Sequence, residues 1–327
     1  MMKCNLQGGT QAASDWDDSF LSAESHVIQM YECCFEVART VGKSYFLVDR
    51  YFLSGPALER WKKLNADDEI VLVEIITKAK SNCVAYQKPE PRDPHRRGRP
   101  RKKGAAVRLK DYWDMSDLFQ SAQANMYGKT TDVEYYSCDL LWGKNIYQEL
   151  RFVLVKFNGN RCILVSTDLT LSPVEIIELY ALRFKIESNF REFKQQFGGF
   201  TYHFWTKTMK KLSHFRKKDE PDPLASVTSA HDRKLVLKKI RAIEAFVFCN
   251  SVAMGMVQMI SLAKCNCVEL MYCRYLRTRS DRRISEGTVM HYLRNYFFAC
   301  MARHPHSFVT QYIREKQVSS SNAKMAA

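Results

Sequence analysis

Along Leu179 to Gln196, LYALRFKIESNFREFKQQ, apolar residues return every three or four positions. At about 100° per residue, Leu179, Leu182, Ile186, Phe190, Phe193 and Phe197 fall within roughly 80° of one another, the face such a helix would bury. Tyr180, Arg183, Glu187 and Lys194 share an arc of roughly 60° beside it and form one polar stripe. Ser172, Pro173, Val174 and Glu175 predict the helix start, as a capping box with proline in the first turn, and Gly198-Gly199 predicts its stop.

Upstream, the same patterning predicts a helix over Glu24 to Thr40, ended by Gly42, and a short strand from Tyr45 to Val48 that runs into Asp49. Gly55-Pro56 opens a second helix to about Leu64, and Ile70 to Thr77 is apolar enough for a strand buried on both faces. Strand, helix, strand predicts a parallel pair, with Asp49 at a carboxyl end, where α/β sheets place ligands. Val133 to Cys138, Leu150 to Phe157 and Arg161 to Ser166 are strand-like, and Asn158-Gly159-Asn160 between the last two predicts a hairpin. A basic connection from Lys207 to Lys234 leads to a helical region from Leu235 to about Lys264, and Ser285-Glu286 opens a further helix. The predicted fold is α/β in four stretches: 1–77, 78–171, 172–199 and 200–327.

Charge narrows the function. A chain of 327 residues with a net charge of +15 favours a polyanionic partner such as nucleic acid over a small substrate. Between Lys88 and Lys110 there are ten basic residues against Glu90 and Asp93, and the segment from Lys78 to about Lys110 is predicted to be a loop. Within it Arg97, Gly98, Arg99, Pro100, Arg101, Lys102 and Lys103 look like an AT-hook core, in which extended arginines lie along a narrow minor groove; general phosphate contact is the other reading. The 11 cysteines show no C-x2-C pair or His/Cys cluster, so neither a zinc site nor a disulfide framework is indicated. The N-terminus lacks the apolar core of a signal peptide. Ala242 to Ala263 contains Glu244, Asn250 and Gln258, which predicts a buried helix and no membrane span.

Tyrosine, two residues, arginine, three residues, glutamate, six residues, lysine is also a whole pattern, and it resembles the signature of bacterial DDE transposases of the insertion-sequence-four family. Val48-Asp49-Arg50-Tyr51-Phe52 resembles the segment around that family's second aspartate. Tyr275 to Thr278 with Ser285-Glu286 resembles its C-terminal part. The resemblance implies a ribonuclease-H-like core carrying an inserted β-rich domain and followed by a C-terminal helical region. It implies a polynucleotidyl transferase that cleaves and joins strands at insertion-sequence ends, acts on double-stranded transposon ends and target DNA, is a homodimer in the DNA complex, and works at the nucleoid in bacterial cytoplasm.

Such chemistry needs an in-line nucleophile and compensation of charge on the attacking and leaving oxygens, which two Mg2+ or Mn2+ ions about 4 Å apart supply through carboxylate ligands. The resemblance implies Glu187 and Asp49 as catalytic and metal-binding residues. Asp168, which ends the strand before the signature helix, is the alternative catalytic residue by its position, in a segment that in relatives is usually not catalytic. Tyr180, Arg183 and Lys194 would then grip the transposon end. Trp142 and Trp205 could stack on a flipped base, but an aromatic beside strands is more often core. The family's first aspartate has no equivalent strand before Asp49, since Asp15, Asp17 and Asp18 lie in a polar context. The expectation is therefore an N-terminally truncated transposase with an exposed sheet edge and an incomplete, inactive triad. A non-catalytic DNA-binding fragment and a ribonuclease-H-like nuclease are the alternatives.

Overall fold

The computed structural model describes residues 25–68, 70–91, 99–203, 206–208, 227–263 and 285–315. The chain divides into two compact units, one of Met1–Ser188 with Ser213–Ser226, the other of Asn189–Leu212 with Val227–Ala327.

The first unit opens on α1 (His26–Val41), capped by the Ser25 hydroxyl and ended by Gly42 at φ 93. Strand β1 (Ser44–Leu47) follows, then a 3-10 turn (Arg50–Phe52), α2 (Gly55–Ala66) and β2 (Val73–Lys78). β1 and β2 are parallel, with Ser44 opposite Val73 and Leu47 opposite Ile76. β3 (Val84–Tyr86), β4 (Ala106–Arg108), β5 (Gln120–Met126), β6 (Lys129–Trp142), β7 (Gln148–Phe157) and β8 (Asn160–Ser166) complete one eight-stranded sheet. Its order is β1-β2-β8-β7-β6-β3-β4, with β5 paired to β6. β1 is thus an edge strand, hydrogen-bonded among the described residues to β2 alone. The β-rich stretch continues the ladder of β1 and β2, because β8 pairs antiparallel with β2.

Alternation along the central strands explains the layering. Val73 and Ile75, Phe152 and Leu154, and Ile163 and Val165 face α1 and α2, meeting Tyr31, Phe35, Leu58 and Trp61. Ile76, Val153, Val155 and Leu164 point the other way, onto Ile176, Ile177 and Ala181 of α3 (Pro173–Leu182). A sheet covered on both faces needs apolar residues at consecutive positions, and β2 has them. At the β7–β8 turn Asn158 (φ 45) and Gly159 (φ 73) adopt the left-handed pair that a two-residue hairpin demands.

Two expectations need correction. The stretch from Lys78 to Lys110 is not all loop: β3 and β4 pair within it, Tyr86 opposite Ala106, and the basic segment connects them. β5, polar in sequence and outside the predicted strands, is a strand because Ala124 and Met126 alternate into the core beside α3. The second correction concerns the signature helix. α3 stops at Leu182 and α4 (Lys185–Gln195) begins after a tightened turn, in which Arg183 and Phe184 donate to the carbonyls of Tyr180 and Ala181, three residues back. Leu182, Ile186 and Phe190 are 45–57 % exposed, so the expected apolar face is not buried as one stripe; α3 buries Ile176, Ile177 and Ala181.

The capping box at the start of α3 is present. Glu175 N–H donates to the Ser172 hydroxyl at 3.2 Å, and Ser172 N–H donates to the Glu175 carboxylate at 2.8 Å. Ser172→Ala is expected to lower stability by about 1 kcal/mol, read as a lower urea midpoint with unchanged slope.

The second unit contains α5 (Ala230–Ala263) and α6 (Glu286–Arg303), the latter capped by Ser285. Their seam is narrow: Val257 and Val289 are buried, with Ile260, Met290, Tyr292, Leu293 and Phe197 against them. α5 is long and apolar enough to cross a membrane by length and composition. It also departs from the buried helix expected, since only Val236, Met254 and Val257 are buried along it among the described residues. Trp205, Tyr275 to Thr278 and Asp15, Asp17 and Asp18 lie outside the described residues.

Candidate active site

β1 delivers Asp49. Val48 closes the parallel ladder by donating its N–H to the Ile76 carbonyl at 3.0 Å, and the chain then turns out of the sheet. Asp49 is exposed and caps the 3-10 turn, its Oδ1 accepting the Arg50 N–H at 2.8 Å. That cap leaves carboxylate capacity toward solvent, because an ionised carboxylate has about four acceptor positions.

The tightened turn between α3 and α4 delivers the other groups. A residue in a 3-10 turn advances by about 120° where an α-helical one advances by about 100°. The wheel drawn from sequence therefore does not carry through this turn. Arg183 lies at the junction. Its guanidinium bonds Glu187 Oε1 at 3.0 Å and lies 5.7 Å from the Tyr180 ring centroid. Partial burial opposes its charge, but Tyr180, the bond to Glu187 and the field of Asp49 outweigh that and raise its pKa. Burial raises the pKa of the Tyr180 hydroxyl; Arg183 opposes this and Asp49 adds to it. Tyr180, Arg183 and Glu187 thus form one cluster on the first unit, with Arg183 bonded to Glu187 and the charge of Asp49 felt by Arg183 and Tyr180. Glu187 is about half exposed, its side chain at 53 %.

The turn is braced from the β5–β6 hairpin. Asn125 N–H donates to the Glu178 carboxylate at 2.7 Å, and Tyr127, at φ 56, sets its ring edge-on to Phe184 at 5.5 Å. Nothing in the spacing of the signature pointed to this support, because it comes from a strand that looked polar.

Asp168 is placed elsewhere. β8 runs antiparallel to β2, so its carboxyl end lies by the amino ends of β1 and β2, opposite the end that carries Asp49. Its carboxylate, 4 % exposed, accepts from the Tyr45 hydroxyl at 2.8 Å, the Thr170 N–H at 2.8 Å and the Thr170 hydroxyl at 2.6 Å, with Lys43 Nζ at 3.5 Å. Burial alone would raise its pKa; the Thr170 and Tyr45 hydrogen bonds and Lys43 reverse this and hold it at about 2. Glu74 is buried nearby, and its pKa is raised by desolvation despite a short bond from the Thr167 hydroxyl. These groups satisfy one another inside the fold.

Lys194 is exposed on α4, past Asn189 where the second unit begins. Arg99, Arg101 and Lys102 are exposed in the segment leading into β4, and Arg97 lies outside the described residues. Lys103 is half-buried, its ammonium 3.8 Å from the Tyr86 ring centroid. Trp142 packs against the core of the first unit.

Carboxylates are hard oxygen donors suited to Mg2+ or Mn2+, and Mg2+ is commonly held by one or two of them, with water and phosphate completing its shell. Asp49 and Glu187, both exposed, are carboxylates of the kind that could supply such ligands. No group of three or more Asp, Glu, His or Cys suited to a metal occurs among the described residues. A family model described as the transposase DDE domain matches residues 24–207, more than half of the chain. No curated protein and no solved structure matches it.

Proposed function

We propose, for a chain that belongs to the transposase DDE-domain family, that it acts at insertion-sequence ends through Asp49, Tyr180, Arg183 and Glu187. Membership implies a ribonuclease-H-like fold and a DNA substrate. The finer reading, an insertion-sequence-four transposase, rests on the four-residue signature, and the observation that carries the site is the Arg183–Glu187 bond at 3.0 Å beside the Tyr180 ring.

In this reading Asp49 and Glu187 hold a divalent ion, which when bound supplies charge compensation at the scissile phosphate. Arg183 leaves Glu187 and takes phosphate oxygens with its planar fork, in a bidentate geometry a lysine would not reproduce. Tyr180, whose pKa burial raises, donates a hydrogen bond to the same strand, and Lys194, on the second unit, contributes a phosphate contact of its own. Asp168 has no part in it, since its acceptor positions are taken inside the fold.

One observation favours a second reading. With two carboxylates and no third beside them, the described residues lack the ligands for two ions. The chain would then bind transposon ends, as a homodimer at the nucleoid, without cleaving them.

The experiment combines the purified chain with duplexes copied from the ends that flank its coding sequence, at several salt concentrations, with Mg2+ or Mn2+. Both readings expect salt-sensitive end binding. Mn2+ titrated into the complex should bind at least about tenfold more weakly in Glu187→Gln or Asp49→Asn. Nicked and strand-joined products support the transposase reading. Nicking without joining supports a nuclease, and binding alone supports the second reading. Equal Mn2+ affinity in wild type and both variants overturns the assignment of Asp49 and Glu187.

A further inference from the structure

The basic connection between β3 and β4 has a built root. Gln87 N–H donates to the Ala105 carbonyl at 2.9 Å, and Gly104 N–H donates to the Gln87 carbonyl at 2.8 Å, extending the pairing of Tyr86 with Ala106 into the connection. Gly104 admits no side chain, since a Cβ there would lie 2.6 Å from the Lys88 carbonyl oxygen. Lys88 Nζ meets the Glu149 carboxylate at 2.6 Å. Lys103 is held over two rings, 3.8 Å from the centroid of Tyr86 and 5.4 Å from that of Tyr147, and these rings pack edge to face at 5.8 Å. Of the basic residues here, Lys88 and Lys103 thus serve the root. Arg99, Arg101 and Lys102 stay exposed beyond it.

We infer that Arg99, Pro100, Arg101 and Lys102 form a mounted arm that enters the minor groove of A·T-rich duplex DNA, and that Lys103 is the latch that aims it. Pro100 has no N–H, and it biases Arg99 toward extended backbone. In extended chain residues two apart project to one side, about 7 Å apart. Arg99 and Arg101 therefore present paired guanidinium groups from a thin backbone. The minor groove is about 6 Å wide, and in A-tracts it is narrower, with an enhanced negative potential that attracts inserted arginine. An arm fixed at its root loses less freedom on entering such a groove than a loose basic loop does. This contact is separate from Asp49 and Glu187 and needs no metal.

The test is run in EDTA with the full chain, so its result does not depend on the metal site. Fluorescence anisotropy compares a duplex with a central A·T tract, a G·C duplex of equal length and duplex RNA, each with and without the minor-groove ligand netropsin. The A·T duplex is expected to bind at least about fivefold more tightly than the others, and netropsin should displace it. Arg99→Ala combined with Arg101→Ala should bring A·T and G·C duplexes to one residual affinity, with unchanged thermal melting. Lys103→Met should shrink the A·T preference and Lys103→Arg, which keeps a cation over the rings, should restore it. Equal wild-type affinity for the A·T and G·C duplexes, RNA binding as tight as A·T DNA, indifference to netropsin, or a preference that survives the double substitution would each overturn the minor-groove arm. A full preference in Lys103→Met would overturn the latch.

Discussion

Asp168→Ala is expected to destabilise the first unit by about 3 kcal/mol, because it strands the Tyr45 hydroxyl and both Thr170 donors while removing the partner of Lys43. Asp168→Asn keeps an oxygen for Thr170 and should cost less. Urea denaturation of both, alongside Mn2+ titration, separates a structural role from a ligand's: loss of metal affinity with full stability in Asp168→Asn would reverse the assignment. The pH dependence has a definite sign. The folded pKa of Asp168 is depressed to about 2 from an ordinary 3.8. Its contribution is therefore present above about pH 4 and is lost as pH falls through 2. Glu74 acts in the opposite sense. Its raised pKa gives a contribution that is complete below its ordinary 4.5 and is lost as pH rises through the folded value. Glu74→Gln should thus flatten the decline in melting temperature on the neutral side and leave the acid limb, which belongs to Asp168, in place.

Trp61→Ala should remove about 3–5 kcal/mol. The indole is 7 % exposed, packs in the core between α2 and the sheet, and donates to the Val73 carbonyl at 2.6 Å. Val73 is also the residue that pairs with Ser44 at the start of β1, so the same site fixes the strand that ends at Asp49. Asn65 limits the damage of a milder change. Its amide donates to the Val73 carbonyl at 3.0 Å and its oxygen accepts the N–H groups of Leu72 and Val73. Trp61→Phe is accordingly expected to cost a third of the alanine value or less, measured as the difference between urea midpoints at constant slope.

The parts of this fold that rest on local chemistry were legible in the sequence. Ser172, Pro173 and Glu175 announce the start of α3 through bonds made within four residues. Asn158-Gly159 announces its hairpin through backbone angles few other residues adopt. What failed was the assumption that one helical period runs through the signature. A wheel drawn at 100° presupposes bonding four residues back, and at Arg183 and Phe184 the bonds reach back three. The exposure of Leu182 and Ile186 follows from that local change and from the choice of Ile176 and Ile177 as the face of α3. β5 was hidden for another reason: in QSAQANM the inward residues Ala122 and Ala124 are small and the outward ones are polar, so the alternation carries little contrast. The Asp168 network was beyond any local reading, since Tyr45 is 123 residues away. Its burial could not be weighed against its catalytic candidacy until strand directions were known.

The joining of β2 to β8 has a consequence for how this chain comes into being. The Ile75 N–H finds the Thr167 hydroxyl across 92 residues of sequence. At roughly 5–20 residues per second on a ribosome, about 5–20 s pass between the emergence of the two partners. Through that interval β2, buried at five of its six residues in the finished fold, has no neighbour on one side, and closing so long a loop is intrinsically slow. A nascent chain held in that state can recruit another strand edge, its own or a second copy's. The rate at which soluble protein accumulates at different translation speeds should therefore depend on the segment between Lys78 and Leu164 more than on the helical unit made last.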